Sequence, residues 1–201
     1  MANGLRPPAA TLEPTPFPWS ADLQLSTPAT TTGQALLAWR RQQLAGHGRP
    51  PAALQSSLDW LLDLGGGVGW QQLQLLHLQP DQPVALQRSL DELAALWQRH
   101  LREVVPLQYL LGLCPWRDLT LQVGPGVLIP RAETELLAEL ALRLVPTPPA
   151  LWADLGTGSG ALALALARAW PNSLGLAVEC SAEARAVAGV NLQAQLELQR
   201  V

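Results

Sequence analysis

The sequence has no lysine: all 13 basic residues are arginine, and they stand against 16 acidic residues. Residues 1–106 hold 7 arginines and 8 acids, and residues 107–201 hold 6 arginines and 8 acids. Neither part therefore has the basic surplus with which a protein neutralises many phosphates. We expect no direct contact with nucleic acid.

Cysteine and long apolar runs are also scarce. The two cysteines, Cys114 and Cys180, lie far apart without the spacing of metal ligands, so we expect two buried free thiols and no metal site. Arginine, glutamate or glutamine interrupts the longest apolar stretches before the roughly 18 residues that a membrane helix needs. Residues 1–6 lack the basic-then-apolar pattern of a secretion signal. We expect a cytoplasmic, monomeric protein that does not enter a membrane.

Three regions of the chain differ in their residue pattern. Residues 1–32 are rich in proline and threonine and lack periodic apolar residues, which predicts a mostly disordered tail. Residues 33–106 have apolar residues at helical spacing, which predicts a small helical domain. Residues 107–201 alternate strand-like and helix-like segments, which favours a parallel α/β sheet.

Individual elements can be placed within the second and third regions. The clearest predicted helix has apolar residues at helical spacing, namely Leu86, Leu90, Leu93, Trp97 and Leu101. Ser89 and Glu92 resemble a capping box at a helix start, although the pair fits equally inside that helix. In the third region the pattern predicts strands or extended segments at 119–123, 127–129, before Asp154 and at 174–178, and helices at 134–144, from 161 and from 182.

The strongest functional signal is the segment 151–160, which reads LWADLGTGSG. An apolar strand, a glycine loop and a helix of small residues follow one another, an order that brings bare backbone and a helix N-terminus against a ligand. The spacing of Gly156, Gly158 and Gly160 is G-x-G-x-G, whereas dinucleotide folds usually show G-x-G-x-x-G. In enzymes that use S-adenosylmethionine (SAM), such a loop wraps the methionine part of the cofactor.

The loop and the next strand supply the candidate cofactor-binding residues. Backbone amides and the helix dipole can favour the SAM carboxylate, while Asp154 either fixes the loop or meets the ammonium group, directly or through water. The predicted loop residues are Asp154, Gly156, Thr157, Gly158, Ser159 and Gly160. Glu179 follows the apolar strand 174–178, where an acid accepts hydrogen bonds from ribose hydroxyls; the alternative is a solvated acid at a strand end.

A second segment has the same outline and a different context. Residues 63–69 read DLGGGVG, which matches the D-L-G-x-G-x-G pattern of residues 154–160. The earlier segment follows a helical pattern and precedes the bulky Trp70, so we interpret its three consecutive glycines as a turn at a helix end. Only the later segment follows a strand and opens a helix, as a cofactor loop requires.

Two further segments, taken with the glycine loop, are similar to those of one enzyme family. Residues 106–112 read PLQYLLG, and residues 127–135 read VLIPRAETE. Together with the loop they resemble the release factor glutamine methyltransferases (the HemK/PrmC family). These two segments are specific, whereas the glycine loop alone marks only the wider group of SAM-binding proteins. The resemblance extends from about Leu54 to Val201.

The resemblance implies a fold and a reaction. A helical bundle for substrate recognition over residues 33–106 would be followed by a Rossmann-like, SAM-dependent methyltransferase domain over residues 107–201. Enzymes of this family methylate the side-chain amide nitrogen of the glutamine in the Gly-Gly-Gln motif of peptide chain release factors. Release factors are thus the implied partner, and SAM is the implied cofactor.

The resemblance also assigns roles by position. Gly156–Gly160 would contact the methionine end of SAM, and Glu179 would bind the ribose. Arg131, Glu133 and Thr134 would lie beside the cofactor pocket and help to close it. The alternative for Arg131 and Glu133 is an exposed ion pair near a helix start.

One expected motif is absent from the 201 residues. The family has a catalytic Asn-Pro-Pro-Tyr motif after a later strand, but Asn172 and Asn191 are not followed by two prolines. In that motif the asparagine side chain and a backbone carbonyl hold the glutamine amide, with its nitrogen aimed at the SAM methyl group. We therefore expect the N-terminal part of such an enzyme, with an incomplete methyltransferase domain, no catalytic residues and little or no activity of its own.

Two alternatives stay open at this point. A related SAM-dependent amino-methyltransferase would act on another protein or on nucleic acid, since the same type of motif serves adenine methylation. A non-catalytic remnant would bind a partner or bind SAM weakly, because two strands of a nucleotide-binding fold leave an open edge and uncovered apolar surface.

Overall fold

The computed structural model describes residues 28–45 and 51–198 of the chain. Its first part is mainly helical and contains one small antiparallel sheet. The elements in chain order are β1 (Ala29–Thr32), α1 (Gly33–Leu44), α2 (Pro51–Gly66), α3 (Trp70–Leu78), β2 (Pro83–Leu86), α4 (Leu90–Glu103) and α5 (Leu107–Leu111). None of the described helices is long and apolar enough to span a membrane.

The second part alternates strands and helices, as the sequence pattern predicts. Its elements are β3 (Leu113–Trp116), β4 (Leu119–Gln122), α6 (Glu133–Leu144), β5 (Leu151–Leu155), α7 (Ala161–Ala169), β6 (Leu174–Val178) and α8 (Ala182–Leu198). The strands β3 and β4 form an antiparallel hairpin, and β5 and β6 pair in parallel. The predicted fold class, helices followed by an incomplete Rossmann-like α/β part, is confirmed.

Two predicted boundaries are wrong. The strand β1 lies in the segment predicted to be a disordered tail, because Ala29–Thr32 pair in antiparallel register with Pro83–Leu86. That pairing also makes Leu86 the end of β2, so the helix predicted from Leu86 begins only at Leu90. The rest of the predicted tail, residues 1–27, lies outside the described residues.

The start of α4 resolves the two interpretations of Ser89 and Glu92. The Ser89 hydroxyl accepts a hydrogen bond from the Glu92 amide at 3.3 Å, and the Glu92 carboxylate accepts one from the Ser89 amide at 2.8 Å. This reciprocal pair is a capping box, which satisfies two amides that a helix start leaves without intrahelical partners. The pair therefore lies at the helix start and not inside the helix.

The helical part encloses one core built from its predicted apolar faces. Trp97 is fully buried at the centre of α4, and its indole donates a hydrogen bond to the Gln43 carbonyl at 3.3 Å. The fully buried leucines include Leu36, Leu58, Leu61, Leu62, Leu76 and Leu93. Arg40 on α1 binds Asp59 on α2 through two hydrogen bonds, of 2.6 and 2.9 Å. The core and this pair together hold α1, α2 and α4 side by side.

The hairpin β3–β4 lies between the helices of the α/β part. Trp116 packs with Ala138 of α6 and Leu164 of α7, whereas Cys114 packs with Val187 of α8. The segment 127–129, predicted as a strand or an extended stretch, forms no strand. The hairpin thus contacts α6, α7 and α8.

The parallel pair β5–β6 is covered unequally. The helix α7 packs against both strands, while the opposite face presents leucines to solvent: Leu155 is 77% exposed and Leu174 is 70% exposed. Parallel sheets in α/β proteins normally have both faces covered. One face of this sheet therefore stays apolar and accessible.

Candidate cofactor-binding site

The glycine loop connects the carboxyl end of β5 to the first turn of α7. Its three glycines have positive φ angles, of 80° at Gly156, 57° at Gly158 and 84° at Gly160. Residues with a side chain adopt this left-handed conformation only at a cost, because the Cβ atom crowds the backbone. The loop conformation therefore depends on the glycine pattern found in the sequence.

The three glycines have different surroundings. A Cβ atom built on Gly156 or Gly158 meets nothing within 4 Å, so the backbone here borders open space. A Cβ atom on Gly160 would lie 3.5 Å from the backbone and side chain of Ala188 on α8. The first two glycines thus leave room at the loop, and the third lies at the contact between the loop and α8.

Asp154 holds the loop from within. Its carboxylate accepts a hydrogen bond from the Thr157 hydroxyl at 2.7 Å. The amides of Gly156 and Thr157 both donate to the Val178 carbonyl, at 2.8 and 3.0 Å. This bond ties Asp154 to the loop, and its predicted part in cofactor binding stays a prediction.

Glu179 lies at the carboxyl end of β6, next to the loop. Its carboxylate accepts hydrogen bonds of 3.0 Å from the amides of Gly158 and Ser181. The bonds from Ser181 and Gly158, followed by that from Cys180, lower the pKa of Glu179 below its ordinary value of 4.5. The glutamate is therefore an anion at neutral pH, and it lies at the end of the strand where the sequence predicts an acid.

The two cysteines do not share one environment. Cys114 is buried, and that burial raises the pKa of its thiol. The prediction that Cys180 is buried as well is wrong. Cys180 is exposed and follows the carboxyl end of β6, where its thiol bonds to Glu179. Among the described residues, no group of three or more histidine, cysteine, aspartate or glutamate side chains lies close enough to hold a metal ion.

Asn191 is a residue near the loop that the sequence motifs did not identify. Its side chain is buried on α8, where it donates 2.9 Å hydrogen bonds to the carbonyls of Gln122 and Ser159 and accepts one of 2.7 Å from the Gln122 amide. The sequence contains a signal for this position, since Asn191 lies at helical spacing from three small apolar residues. All four are buried: Ala184, Val187, Ala188 and Asn191. A polar residue on such a face normally has hydrogen-bond partners.

The remaining predicted residues lie at the start of α6. Arg131 and Glu133 are exposed, and Thr134 is half-buried. Arg131 and Glu133 line a cavity of about 370 Å³, which also borders Trp60 and Gln108 of the helical part. Within the described part of the chain, no hydrogen bond or ion pair joins Arg131, Glu133 or Thr134 to the glycine loop or to Glu179.

The second glycine-rich segment is a helix end, as its context predicts. Residues 63–66 form the last turn of α2, and Gly67, with a φ of 75°, terminates it. The Gly67 amide donates to the Asp63 carbonyl, and the Val68 amide donates to the Leu62 carbonyl. Val68 is fully buried, so this segment packs into the core of the helical part.

No protein-family model matches the chain. It is similar to curated proteins named release factor glutamine methyltransferase: it is 47% identical to that of Prochlorococcus marinus over 83% of this chain and 56% of the relative. It is 44% identical to that of Gloeobacter violaceus, over 77% of this chain and 52% of the relative. It is 38% identical to that of Synechocystis, over 81% of this chain and 55% of the relative. The chain thus spans about half the length of these relatives. The resemblance predicted from the sequence motifs is confirmed.

Proposed function

We propose that the chain, which is similar to curated release factor glutamine methyltransferases over about half of their length, forms the cofactor-binding part of such an enzyme. The reaction is the transfer of a methyl group from SAM to the side-chain amide of the glutamine in the Gly-Gly-Gln motif of peptide chain release factors. The proposed enzyme acts in the cytoplasm as a monomer and makes no direct contact with nucleic acid.

The observation that supports this proposal is the open backbone at Gly156 and Gly158, next to a carboxylate at the end of the neighbouring strand. Both lie at the carboxyl end of a parallel strand pair, where α/β proteins bind their ligands. The residues present fit SAM, because the loop offers backbone to its charged end and Glu179 offers hydrogen-bond acceptors to its hydroxyls.

The loop end of the site suits the carboxylate of SAM. The N-cap residue of the nine-residue helix α7 is Gly160, and no side chain accepts a hydrogen bond from the helix start. The first amides of a helix also have no intrahelical partners. These amides and the positive end of the helix dipole favour an anion. Asp154 is already bonded to Thr157, so its proposed contribution is to hold the loop in shape.

The other end suits the ribose. The Glu179 carboxylate accepts two backbone hydrogen bonds and one from a thiol, and its two oxygens offer about four acceptor positions in total. About one position therefore remains, on the oxygen that binds Gly158, and a ribose hydroxyl can bond there without displacing that bond. When bound, SAM supplies an electrophilic methyl group for transfer.

The substrate amide needs a holder of its own. An amide nitrogen is a poor nucleophile, so positioning and hydrogen bonding have to supply much of the rate enhancement. The Asn-Pro-Pro-Tyr motif that does this in the family does not occur in the 201 residues. We propose that the residues that hold the glutamine amide lie outside this chain, and that the 201 residues alone do not methylate release factors.

Residues 33–106 are the proposed recognition domain for the release factor, and residues 107–201 are the proposed partial methyltransferase domain. Trp60 of the first part and Gln108, Arg131 and Glu133 of the second line one cavity, which therefore lies where these two parts meet. Arg131, Glu133 and Thr134 are proposed to close over bound SAM, although they form no bond to the loop in this structure.

The test is methyl transfer by the full-length gene product. Purified protein is incubated with labelled SAM and a release factor, and the label is located by peptide mass spectrometry. We expect the label on the glutamine of the Gly-Gly-Gln motif and none on a release factor in which that glutamine is alanine. Label on nucleic acid, or none on the release factor, contradicts the proposal.

A further inference from the structure

Asn191 links three separate elements through one buried side chain. It is 3% exposed, and its amide group bonds to the backbone of Gln122 on β4 and of Ser159 in the glycine loop. These partners are 69 and 32 residues away in the sequence. The side chain therefore connects α8, the hairpin β3–β4 and the loop.

The bonds to Gln122 imitate the pairing of a β-strand. The Asn191 side-chain oxygen accepts from the Gln122 amide at 2.7 Å, and its nitrogen donates to the Gln122 carbonyl at 2.9 Å. The orientation of the amide is thereby set, since reversing it would oppose donor to donor and acceptor to acceptor. The second hydrogen on the nitrogen is consequently directed at the Ser159 carbonyl.

Ser159 stands between the two glycines on which the loop conformation depends. Gly158 and Gly160 both have positive φ angles, and Ser159 itself is 3% exposed. A bond that holds the Ser159 carbonyl restricts the rotation of the peptide group that leads into Gly160. The Gly158 amide on the other side is bonded to Glu179.

We propose that Asn191 is a positioning residue for cofactor binding. By holding the Ser159 carbonyl against β4, it keeps Gly158 and Gly160 in the conformation that opens the loop backbone to the ligand. This inference rests on the proposed function, since it takes SAM to be the ligand of the loop.

The experiment compares two substitutions on one face of α8 in the full-length gene product. Asn191→Ala removes all three hydrogen bonds. Val187→Ala, one helical turn earlier, removes only apolar contacts of a side chain that is 1% exposed and packs with Cys114, Val123 and Val127. Both variants are expected to lower stability, so urea unfolding measures that loss for each.

Two further measurements separate positioning from stability. Calorimetry gives the dissociation constant for SAM, which we expect to rise about tenfold in Asn191→Ala, the change that corresponds to 1.4 kcal/mol, and less than about twofold in Val187→Ala. Amide hydrogen exchange by NMR, without SAM, is expected to accelerate at Gly156–Gly160 in Asn191→Ala and not in Val187→Ala. If Asn191→Ala does not fold, Asn191→Ser replaces it in both measurements. The serine hydroxyl keeps one hydrogen-bond donor at this position, so we expect a smaller loss of SAM affinity.

The outcomes distinguish the two proposals. If the wild-type protein does not bind SAM, the proposed function fails, while the exchange data still test the role of Asn191 in the loop. If the wild type binds SAM and Asn191→Ala binds it as Val187→Ala does, with unchanged exchange in the loop, the positioning role of Asn191 is wrong.

Discussion

The amide of Gly158 donates a 3.0 Å hydrogen bond to the carboxylate of Glu179, across 21 residues of sequence. The bond joins the middle of the glycine loop to the end of the neighbouring strand. The bond therefore links the two halves of the candidate site, the loop and the strand end.

This bond predicts a transition at acidic pH. Because hydrogen bonds lower the pKa of Glu179 below 4.5 in the folded protein, their stabilising contribution is complete above the ordinary pKa and is lost as the pH falls through the lowered one. The amide resonance of Gly158, followed by NMR, should titrate with a midpoint below 4.5. Glu179→Gln should abolish that titration. A midpoint at or above 4.5 would contradict this prediction.

The glycines of the loop should differ in their tolerance of alanine. Each substitution places a side chain at a positive φ, which costs roughly 1–2 kcal/mol. At Gly158 the added methyl also enters the open space at the loop, whereas at Gly160 it meets Ala188 at 3.5 Å, an ordinary contact distance.

Urea unfolding and SAM calorimetry measure these two effects separately. We expect Gly158→Ala and Gly160→Ala to lose similar amounts of unfolding free energy and Gly158→Ala to lose more affinity for SAM. Equal losses of affinity in the two variants would argue against a ligand in the space beside Gly158.

The ion pair between Arg40 and Asp59 should stabilise the helical part. Its two side chains are only 15% and 20% exposed, and its geometry is bidentate. Lysine keeps the charge and loses the planar pair of donors, so Arg40→Lys should lower the unfolding free energy by about 1–2 kcal/mol. Arg41→Lys, at the exposed neighbouring position, is the matched control and should change it by less than about 0.5 kcal/mol. A similar effect at both positions would contradict this prediction.

The uncovered face of β5–β6 predicts an unusual tolerance of polar residues. Leu155 is 77% exposed, so Leu155→Gln in the 201-residue chain should change the unfolding free energy by less than about 0.5 kcal/mol. Leu164 is fully buried on α7, and Leu164→Ala should cost about 2–5 kcal/mol. Urea unfolding measures both substitutions. A large loss for Leu155→Gln would show that another polypeptide segment or a second copy covers this face.

Several elements could be predicted from the local pattern because short-range rules decide them. Apolar runs, glycines and small residues indicate these elements at their observed places. They are the strand, glycine loop and helix at 151–169, the strand 174–178 and the helix from Ala182. The two D-L-G-x-G-x-G segments could also be separated, because the residues before each one have different periodicities. The predicted roles of the loop residues and of Arg131, Glu133 and Thr134 in cofactor binding stay predictions.

The two wrong boundaries share one physical cause, which is pairing between residues that are distant in sequence. Ala29–Thr32 have no helical or strong strand pattern of their own and become a strand only because Pro83–Leu86 offer a partner edge. The same pairing removes Leu86 from the helix to which its spacing assigned it. The exposure of Cys180 is a separate error, since the residue follows the end of β6, a strand that the sequence predicts.

The sequence by itself determined the resemblance to the family, the order of strand, glycine loop and helix at 151–169 and the positions of the glycines, since these follow from local periodicity and from motifs. Only the tertiary structure decided which atoms hold the loop. Asp154 is bonded to Thr157, Glu179 to Gly158 and Asn191 to Ser159. A hydrogen bond requires donor and acceptor within about 3 Å, and for Glu179 and Asn191 the chain meets this condition only after β5, β6 and α8 have packed together.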